Sequence, residues 1–369
     1  MLLIEADRDA LLRPLQAVTG IVERRHTLQI LSNVLIERGQ DGTRFMATDL
    51  EIQVSTSAHG LKESAKPFSL TVAARKLHDI LRALPEDAQV ALAQEDGRLQ
   101  VKAGRSRFSL QTLPAEDFPR LAETAGDELS VRLPQKELRR LLALVHYAMA
   151  QQDIRYYLNG LLLVLGGQAL KLVATDGHRL AYAATGLPSA QEAREVIVPR
   201  KAVLEVLKLL SDSEDAVEIT VRPNQVRFAF GGVVLVSKVV DGKFPDYQRV
   251  IPQAHPKVVE LPRLAFLQAL SRTAILSNDK IRGVRLVLTA DSLRVICTNN
   301  EQEEAQEELA VAYSGEPLDI GFNVTYLLDV LGNLASETVR CAFNDPNSSC
   351  LVTVPGDDQF KYVVMPMRI

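Results

Sequence analysis

The segment Thr175-Asp176-Gly177-His178-Arg179 places a carboxylate and an imidazole close together, and such groups transfer protons in many hydrolases. A hydrolase is therefore one interpretation of this segment. Acid–base catalysis also needs an oriented partner and a nucleophile or metal nearby. The histidines lack ligand spacing such as His-x-x-x-His, and the sequence has no glycine-rich phosphate loop, serine elbow or cysteine pair. The sequence favours a protein that is not an enzyme and needs no metal or cofactor.

Composition sets further limits on the class of protein. Of the 369 residues, 47% are hydrophobic and 24% are charged, which is typical of a globular protein. The three cysteines, an odd number, favour buried reduced thiols over disulfides. Acidic residues occur too early for a signal peptide, and no apolar run approaches the roughly 20 residues that span a bilayer. We expect a soluble, cytoplasmic protein without a membrane partner.

The net charge of −4 conceals a segregated distribution of charge. Basic residues cluster at Arg24-Arg25-His26, Arg75-Lys76, Arg105 with Arg107, and Arg200-Lys201, whereas acidic residues dominate residues 301–308. A negative net charge alone argues weakly against a nucleic-acid partner. The basic clusters are nevertheless candidates for phosphate contacts, with a solvated basic surface as the alternative.

Similar phrases recur three times along the chain. Phe45-Met46-Ala47-Thr48-Asp49 returns as Leu172-Val173-Ala174-Thr175-Asp176 and, more loosely, as Val295-Ile296-Cys297-Thr298-Asn299, at a period of roughly 125 residues. Because the third copy has Asn299 where the other copies have Asp49 and Asp176, the repeated residue is better explained as a turn residue that caps local backbone than as a catalytic acid. The pattern predicts three tandem copies of one domain, at 1–126, 127–256 and 257–369.

Each copy also repeats one order of secondary structure. An amphipathic helix opens it, with apolar residues at spacings of three and four in residues 11–22, 138–149 and 264–270. Strands joined by turns such as Gln40-Asp41-Gly42 and Ala290-Asp291 follow, and then a second helix and more strands. Because strands outnumber helices and run in consecutive hairpins, we expect an α+β fold of antiparallel sheets with the helices on one face.

Five phrases resemble one known family. They are residues 155–160 (Arg-Tyr-Tyr-Leu-Asn-Gly), 174–180, 198–201, 241–247 and 362–369. Together they make the chain similar, from end to end, to the bacterial DNA polymerase III beta subunits, the sliding clamps. That family has three clamp domains per chain, with antiparallel sheets outside and two helices per domain inside, and forms a head-to-tail dimeric ring around duplex DNA. The resemblance implies a non-catalytic processivity factor for DNA replication that slides without sequence specificity.

The resemblance and the basic clusters together predict residues that contact double-stranded DNA. Contacts of this kind are made by Lys, Arg and polar side chains to phosphates. The candidates are Arg25, Arg75, Gln152, Arg155, Tyr156, Tyr157, Arg200, Lys201 and Arg282. The two tyrosines could equally be core aromatics, since one of two adjacent strand residues normally points inward.

The resemblance also implies a homodimer in which the third domain of one subunit meets the first domain of the other. The candidate interface residues are Arg98, Arg105, Arg107, Phe108, Ile275, Leu276, Glu301, Glu303, Glu304 and Glu307. Phe108 would pack near Ile275 and Leu276, and the glutamates would face the arginines. Charge pairs of this kind mainly set orientation, and the apolar centre supplies more of the affinity. The alternative is that the acidic segment is only a solvated loop or helix.

The last residues of the sequence are unusually apolar for a chain end, so they must be covered or bound. By resemblance they belong to a groove between the second and third domains that binds short linear motifs of the DNA polymerase III catalytic subunit, the clamp loader, other polymerases and repair proteins. The candidate groove residues are Leu158, Thr175, Gly177, His178, Arg179, Leu180, Pro245, Arg249, Val250, Asn323, Tyr326, Ser349, Val363, Val364, Met365, Pro366, Met367 and Arg368. Asn347 departs from the Val expected in the family, which bears on one pocket wall.

One alternative for these last residues is a final strand of the third domain, which is compatible with the groove. For the protein as a whole, an alternative function is a peptide-binding scaffold that uses the groove alone and never contacts DNA. The segregated basic clusters weigh against this scaffold.

Overall fold

A computed structural model describes residues 1–23, 27–64, 66–122, 126–278 and 281–369 of the chain. The α-helices of these ranges are α1 (Arg8–Thr19), α2 (Ala74–Ala83), α3 (Gln135–Val145), α4 (Arg200–Leu209), α5 (Arg263–Thr273) and α6 (Val324–Asn333). Each of the three copies therefore has two helices, as the sequence predicts. None of the helices described is long and apolar enough to cross a membrane.

Antiparallel strands make up most of the remaining structure. They are β1 (Leu2–Asp7), β2 (Asn33–Gly39), β3 (Gly42–Thr48), β4 (Ile52–Ser57), β5 (Lys62–Glu63), β6 (Phe68–Ala73), β7 (Gln89–Glu95), β8 (Arg98–Ala103), β9 (Ser106–Leu113), β10 (Leu129–Pro134), β11 (Gly160–Thr175), β12 (Arg179–Pro199), β13 (Ala216–Val221), β14 (Gln225–Phe230), β15 (Val233–Lys238), β16 (Lys257–Pro262), β17 (Gly283–Thr289), β18 (Ser292–Thr298), β19 (Glu304–Ala310), β20 (Leu318–Asn323), β21 (Thr338–Phe343), β22 (Cys350–Val354) and β23 (Asp357–Val364).

The chain divides into two units, and the first comprises Met1–Leu138 and Lys201–Val239. Its strands form one sheet in the order β10-β13-β14-β15-β4-β3-β2-β6-β9-β8-β7-β1-β5. α1 and α2 pack against each other. The apolar stripe of α1 that the sequence predicts is buried, with Leu11, Leu15 and Val18 inaccessible to solvent. Burial of such a stripe supplies most of the stability of a helix of this length.

The second unit comprises Arg139–Arg200 and Val240–Ile369 and contains two sheets. Their strand orders are β11-β12-β23-β22-β21-β16 and β19-β18-β17-β20. Pairing of β12 with β23 brings Leu180 opposite Val363, so a strand from the middle of the chain is bonded to its last strand. Leu162, Val173, Ile197 and Phe244 complete the buried apolar cluster at this junction. This cluster supports the candidate site described below.

The hairpin turns predicted from Gln40-Asp41-Gly42 and Ala290-Asp291 are confirmed. The first joins β2 to β3 and the second joins β17 to β18, and Gly42 and Asp291 both have positive φ, at 98° and 56°. All three cysteines are free and buried, as predicted. The domain bounds at 126 and 256 remain predictions.

Substitution of Gly160 tests how closely β11 and β12 are packed. A Cβ at this position would lie 2.6 Å from the backbone oxygen of Val198, which cannot move without disturbing the β11–β12 pairing. We expect Gly160→Ala to lower the free energy of unfolding by about 2 kcal/mol, a typical cost of overpacking. Gly186→Ala on the same pair of strands is the control, because the nearest atom to its Cβ would be 4.0 Å away. Urea denaturation measures both variants. Equal midpoint urea concentrations for the two would contradict the prediction.

Candidate functional site

In each copy the residue after Thr in the repeated phrase accepts hydrogen bonds from backbone N–H groups of the turn that follows it. The side chain of Asp176 accepts hydrogen bonds from the backbone N–H groups of His178 and Arg179, at 2.9 and 3.0 Å. Asp49 accepts from the two corresponding N–H groups of the first copy, at 3.0 and 2.7 Å. Asn299 accepts from two N–H groups in the third copy, both at 3.0 Å. The repeated residue is therefore a structural cap, as its recurrence in the sequence suggests.

The guanidinium of Arg179 bonds to residues from three separate parts of the second unit. Its guanidinium contacts Asp329 on α6 at 2.5 Å and Asp176 at 3.2 Å, and donates to the backbone oxygen of Tyr147 at 2.6 Å. It also lies 4.4 Å from the ring centroid of Tyr326, a cation–π distance. Burial by itself lowers the pKa of Arg179, but Tyr362, Asp329 and Asp176 raise it overall. The guanidinium is therefore charged and ties the β11–β12 turn to α6.

His178 extends this network toward the last residues of the sequence. Its ring is stacked on Tyr326, with centroids 6.4 Å apart and planes at 22°. Its backbone oxygen accepts a hydrogen bond from the N–H of Met365 at 2.8 Å. The hydroxyl of Tyr362 donates to the backbone oxygen of Tyr326 at 2.8 Å. The turn, α6 and β23 thus form one bonded assembly.

A cavity of about 230 Å³ opens beside this assembly. Its lining is mostly apolar, which is typical of ligand sites. The predicted groove residues that line it are Leu158, Thr175, Gly177, His178, Arg179, Leu180, Pro245, Val250, Val363 and Met365. Arg155 and Tyr157, which the sequence analysis assigned to DNA, line the same cavity, and so does Tyr247, which it missed. Two larger clefts, of about 490 and 590 Å³, lie in the first unit and have many charged and polar residues in their walls.

Gly177 shows why the cavity wall requires glycine at this position. Its φ is +88°, a conformation that other residues rarely adopt. A Cβ there would also lie 2.9 Å from Nη1 of Arg155. The wall therefore depends on close approach of the Arg155 guanidinium.

The other predicted groove residues lie outside the cavity lining, and several have structural roles. Asn323 caps α6 by accepting from the N–H of Thr325 at 2.9 Å. The backbone oxygen of Ser349 contacts Nε2 of His255 at 2.8 Å. Arg249 is paired with Asp246 at 2.9 Å. The remaining members of this group are Tyr326, Val364, Pro366, Met367 and Arg368, and the exposed Asn347 likewise does not line the cavity.

The DNA candidates of the second unit are concentrated in residues 150–159. This loop is closed by a hydrogen bond from the N–H of Ala150 to the oxygen of Leu158 and by the side chain of Asn159, which bonds the N–H and oxygen of Asp153. Gln152 is exposed with φ at +55°, and Tyr156 is 57% exposed. The loop therefore presents Gln152, Tyr156 and the 95% exposed Ile154 to solvent, and Gln151 and Arg155 are exposed as well.

Arg155 in this loop is held by a charge pair. Its guanidinium lies 2.8 Å from the carboxylate of Asp153. Hydrogen bonds from Arg155 lower the pKa of Asp153 to about 2. A phosphate that contacted Arg155 would therefore compete with a fully ionised carboxylate.

The remaining DNA candidates also have protein partners. In the first unit, Lys201 pairs with Glu23 at 3.1 Å and with Asp49, and Arg75 donates to the oxygen of Val22 at 2.8 Å. In the second unit, Arg200 donates to the oxygen of Met149 at 3.2 Å, and Arg282 is half-buried with φ at +52°. The candidate Arg25 lies outside the described residues.

Four of the dimer candidates lie on strands with an unpaired edge, Arg107 and Phe108 on β9 and Glu304 and Glu307 on β19. Arg98 lies on β8, Arg105, Glu301 and Glu303 lie in the segments beside these strands, and Ile275 and Leu276 lie in a 3₁₀ turn after α5. Among the described residues, 106–111 of β9 pair with β8 alone, and β19 is an outer strand of its sheet. Arg98, Arg105 and Arg107 are exposed near the first edge, where Phe108 is half-buried, and Glu301, Glu303 and Glu304 are exposed near the second. Ile275 is 78% exposed and Leu276 is half-buried. Glu307 is bonded by Arg272 of its own chain at 2.7 Å.

Comparison with known proteins identifies the family. Family models for the N-terminal, central and C-terminal domains of the DNA polymerase III beta subunit match residues 2–122, 132–246 and 248–368. The chain belongs to the DNA polymerase III beta subunit family. It has three tandem clamp domains, and members of this family, the sliding clamps, are non-catalytic processivity factors of DNA replication. The hydrolase alternative is therefore wrong.

Individual relatives are similar to this sliding clamp along its whole length. The beta sliding clamp of Pseudomonas putida is 51% identical over 98% of both chains, and that of Escherichia coli K12 is 43% identical over 98% of this chain and 99% of the relative. The crystal structure of the Pseudomonas aeruginosa DNA polymerase III subunit beta, 48% identical, covers 100% of both chains with a TM-score of 0.94. A structure of the clamp from the same organism bound to griselimycin has a TM-score of 0.95.

Asp329 tests the network around Arg179. Asp329→Asn removes one carboxylate from a guanidinium whose side chain is only 9% exposed, so we expect a loss of about 2 kcal/mol in the free energy of unfolding. Asp319→Asn is the matched control, since Asp319 pairs with Arg285 at the surface and such pairs contribute about 0.5 kcal/mol. Urea denaturation followed by circular dichroism measures both. Equal losses in the two variants would contradict the proposed difference.

Proposed function

We propose that the protein encircles duplex DNA as a head-to-tail homodimeric ring and tethers other replication and repair proteins to it. The observation that carries this proposal is membership of the sliding-clamp family along the entire chain, including its last residues. A ring is retained on DNA by topology, so its contacts can be few, non-specific and easily exchanged. This role places the protein with chromosomal DNA in the bacterial cytoplasm.

The unpaired edges of β9 and β19 support the homodimer. An exposed strand edge presents unpaired N–H and C=O groups, and pairing it with another strand removes this liability. Arginines lie near the first edge and glutamates near the second, so the two edges are complementary in charge. Phe108 and the exposed Ile275 supply apolar surface for the centre of the same contact. In a head-to-tail dimer each edge would meet the other type of edge on the partner.

The second unit supports a groove for short linear peptides. Its cavity is mostly apolar, and Met365, a flexible and polarisable residue, forms part of the wall. A wall of this kind adapts to several client sequences, such as those of the polymerase III catalytic subunit, the clamp loader, other polymerases and repair proteins. The structure of a griselimycin-bound relative supports ligand binding by the same fold. Because the sequence has no nucleotide-binding motif, ATP-driven opening of the ring requires a separate loader.

Topological retention tests the ring directly. The protein is loaded with a clamp loader and ATP onto a nicked circular plasmid, the circle is then cut, and bound protein is followed by gel filtration. We expect retention on the circle and loss after cutting, because a ring slides off a free end. Salt-sensitive binding that does not respond to cutting would contradict the ring, and no retention on either form would favour a scaffold that acts without DNA.

Ile275 tests the homodimer. Ile275→Asp places a carboxylate at the proposed apolar centre of the interface. We expect the dissociation constant of the dimer to rise at least about tenfold relative to the wild-type protein. Leu264→Asp is the control, because Leu264 is also exposed, at 54%, but was not assigned to the interface. Sedimentation velocity over a dilution series measures both. A wild-type chain that is monomeric throughout, or equal behaviour of the two variants, would refute this interface.

A further inference from the structure

The side chain of Ile369, the last residue of the sequence, packs over two glycines. A Cβ at Gly283 would lie 3.1 Å from Cδ1 of Ile369, and a Cβ at Gly321 would lie 2.7 Å from the same atom. Gly283 begins β17 and Gly321 lies on the neighbouring β20. These two glycines, which we call the glycine seat, leave the space that Ile369 occupies.

Backbone conformation does not explain these glycines. Neither has a positive φ, so other residues could adopt the same backbone geometry. Glycine inside a strand costs stability and often marks a position where another part of the structure approaches closely. At Gly283 all three nearest atoms to a Cβ would belong to the side chain of Ile369. Gly283 is therefore explained by the contact with Ile369. At Gly321 the nearest atom to a Cβ would be the backbone oxygen of Met367, at 2.5 Å, followed by Cδ1 of Ile369.

Two backbone hydrogen bonds fix the residues just before Ile369. The N–H of Met365 donates to the oxygen of His178, and the N–H of Met367 donates to the oxygen of Gly321, both at 2.8 Å. β20 is an outer strand of its sheet, so residues 365–369 attach to an otherwise open edge there. Met365 lines the cavity, although Met367 and Ile369 do not. The glycine seat thus provides a third attachment, beyond the two hydrogen bonds.

We propose that Ile369 is a positioning residue for the groove, because its contact with the glycine seat holds residues 365–369 and thereby keeps Met365 in the cavity wall. The inference rests on the proposed function of the cavity as a ligand site. Without the third attachment, residues 367–369 would have fewer contacts to hold them in place. Ile369 is 55% exposed, so its contact is partial and its contribution to ligand binding is modest.

The test uses the full chain and griselimycin as the probe. Ile369→Ala should weaken griselimycin binding about fivefold, as expected for loss of a half-buried aliphatic side chain. Hydrogen exchange at the amides of Met365 and Met367 should be faster in this variant, while the melting temperature stays unchanged. Ile369→Leu keeps an aliphatic side chain and should restore both properties. Calorimetric titration and exchange followed by mass spectrometry provide the measurements.

A double-mutant cycle separates the glycine seat from general effects on β17. Gly283→Ala should push Ile369 away and weaken griselimycin binding about twofold, but should have no further effect when Ile369 is already Ala. Gly332→Ala on α6 is the control, because a Cβ there would have no neighbour within 4 Å. Additive effects of Gly283→Ala and Ile369→Ala would overturn the proposal.

The remaining outcomes distinguish this inference from the proposed function. If wild-type protein binds griselimycin and Ile369→Ala binds it equally well, the positioning role is refuted and the groove stands. If wild-type protein does not bind griselimycin, the groove is refuted and the positioning role with it.

Discussion

The second unit depends on the burial of one charge. Arg179 is almost inaccessible, and leaving a guanidinium there without partners would cost several kcal/mol. The turn that contains it supplies Asp176 and α6 supplies Asp329, while Tyr326 covers the guanidinium face. The charge is stable only when these elements, distant in sequence, are assembled. The cavity wall is a consequence, since the backbone that carries Arg179 also carries Gly177, His178 and Leu180.

Assembly of the cavity also depends on the pairing of β12 with β23. This pairing brings Leu180 opposite Val363, and Met365 follows directly after β23 ends. The apolar cluster at the junction holds both strands, so the cavity is built on rigid strands even though its last wall is a short tail. Strands fix geometry more precisely than loops, and the tail adds adaptability at one side. This combination is consistent with the proposed groove for different client sequences.

Much of the fold could be predicted from the sequence because it repeats. Three copies of one phrase at a constant period gave the domain count, and the apolar stripes gave the helices. The Thr-Asp turn was correctly interpreted as a cap because Asn299 replaces Asp176 in the third copy. Partners distant in sequence could not be predicted this way: nothing local links Arg179 to Asp329, 150 residues away. Tyr247 was missed although it lies between the predicted groove residues Pro245 and Arg249, and Arg155 and Tyr157, which were assigned to DNA, also line the cavity.

The ion pairs of Lys201 bear on the proposed movement of the ring along DNA. Its ammonium group already contacts Glu23 and Asp49. A phosphate would replace these carboxylates, so the contact would gain only the difference in free energy between two similar anionic partners. A contact of that kind is short-lived, because the lysine returns to its own carboxylates when the phosphate moves on. In a ring that encloses DNA, such internal competition would let the lysine exchange phosphates rapidly, so its contacts would not slow sliding.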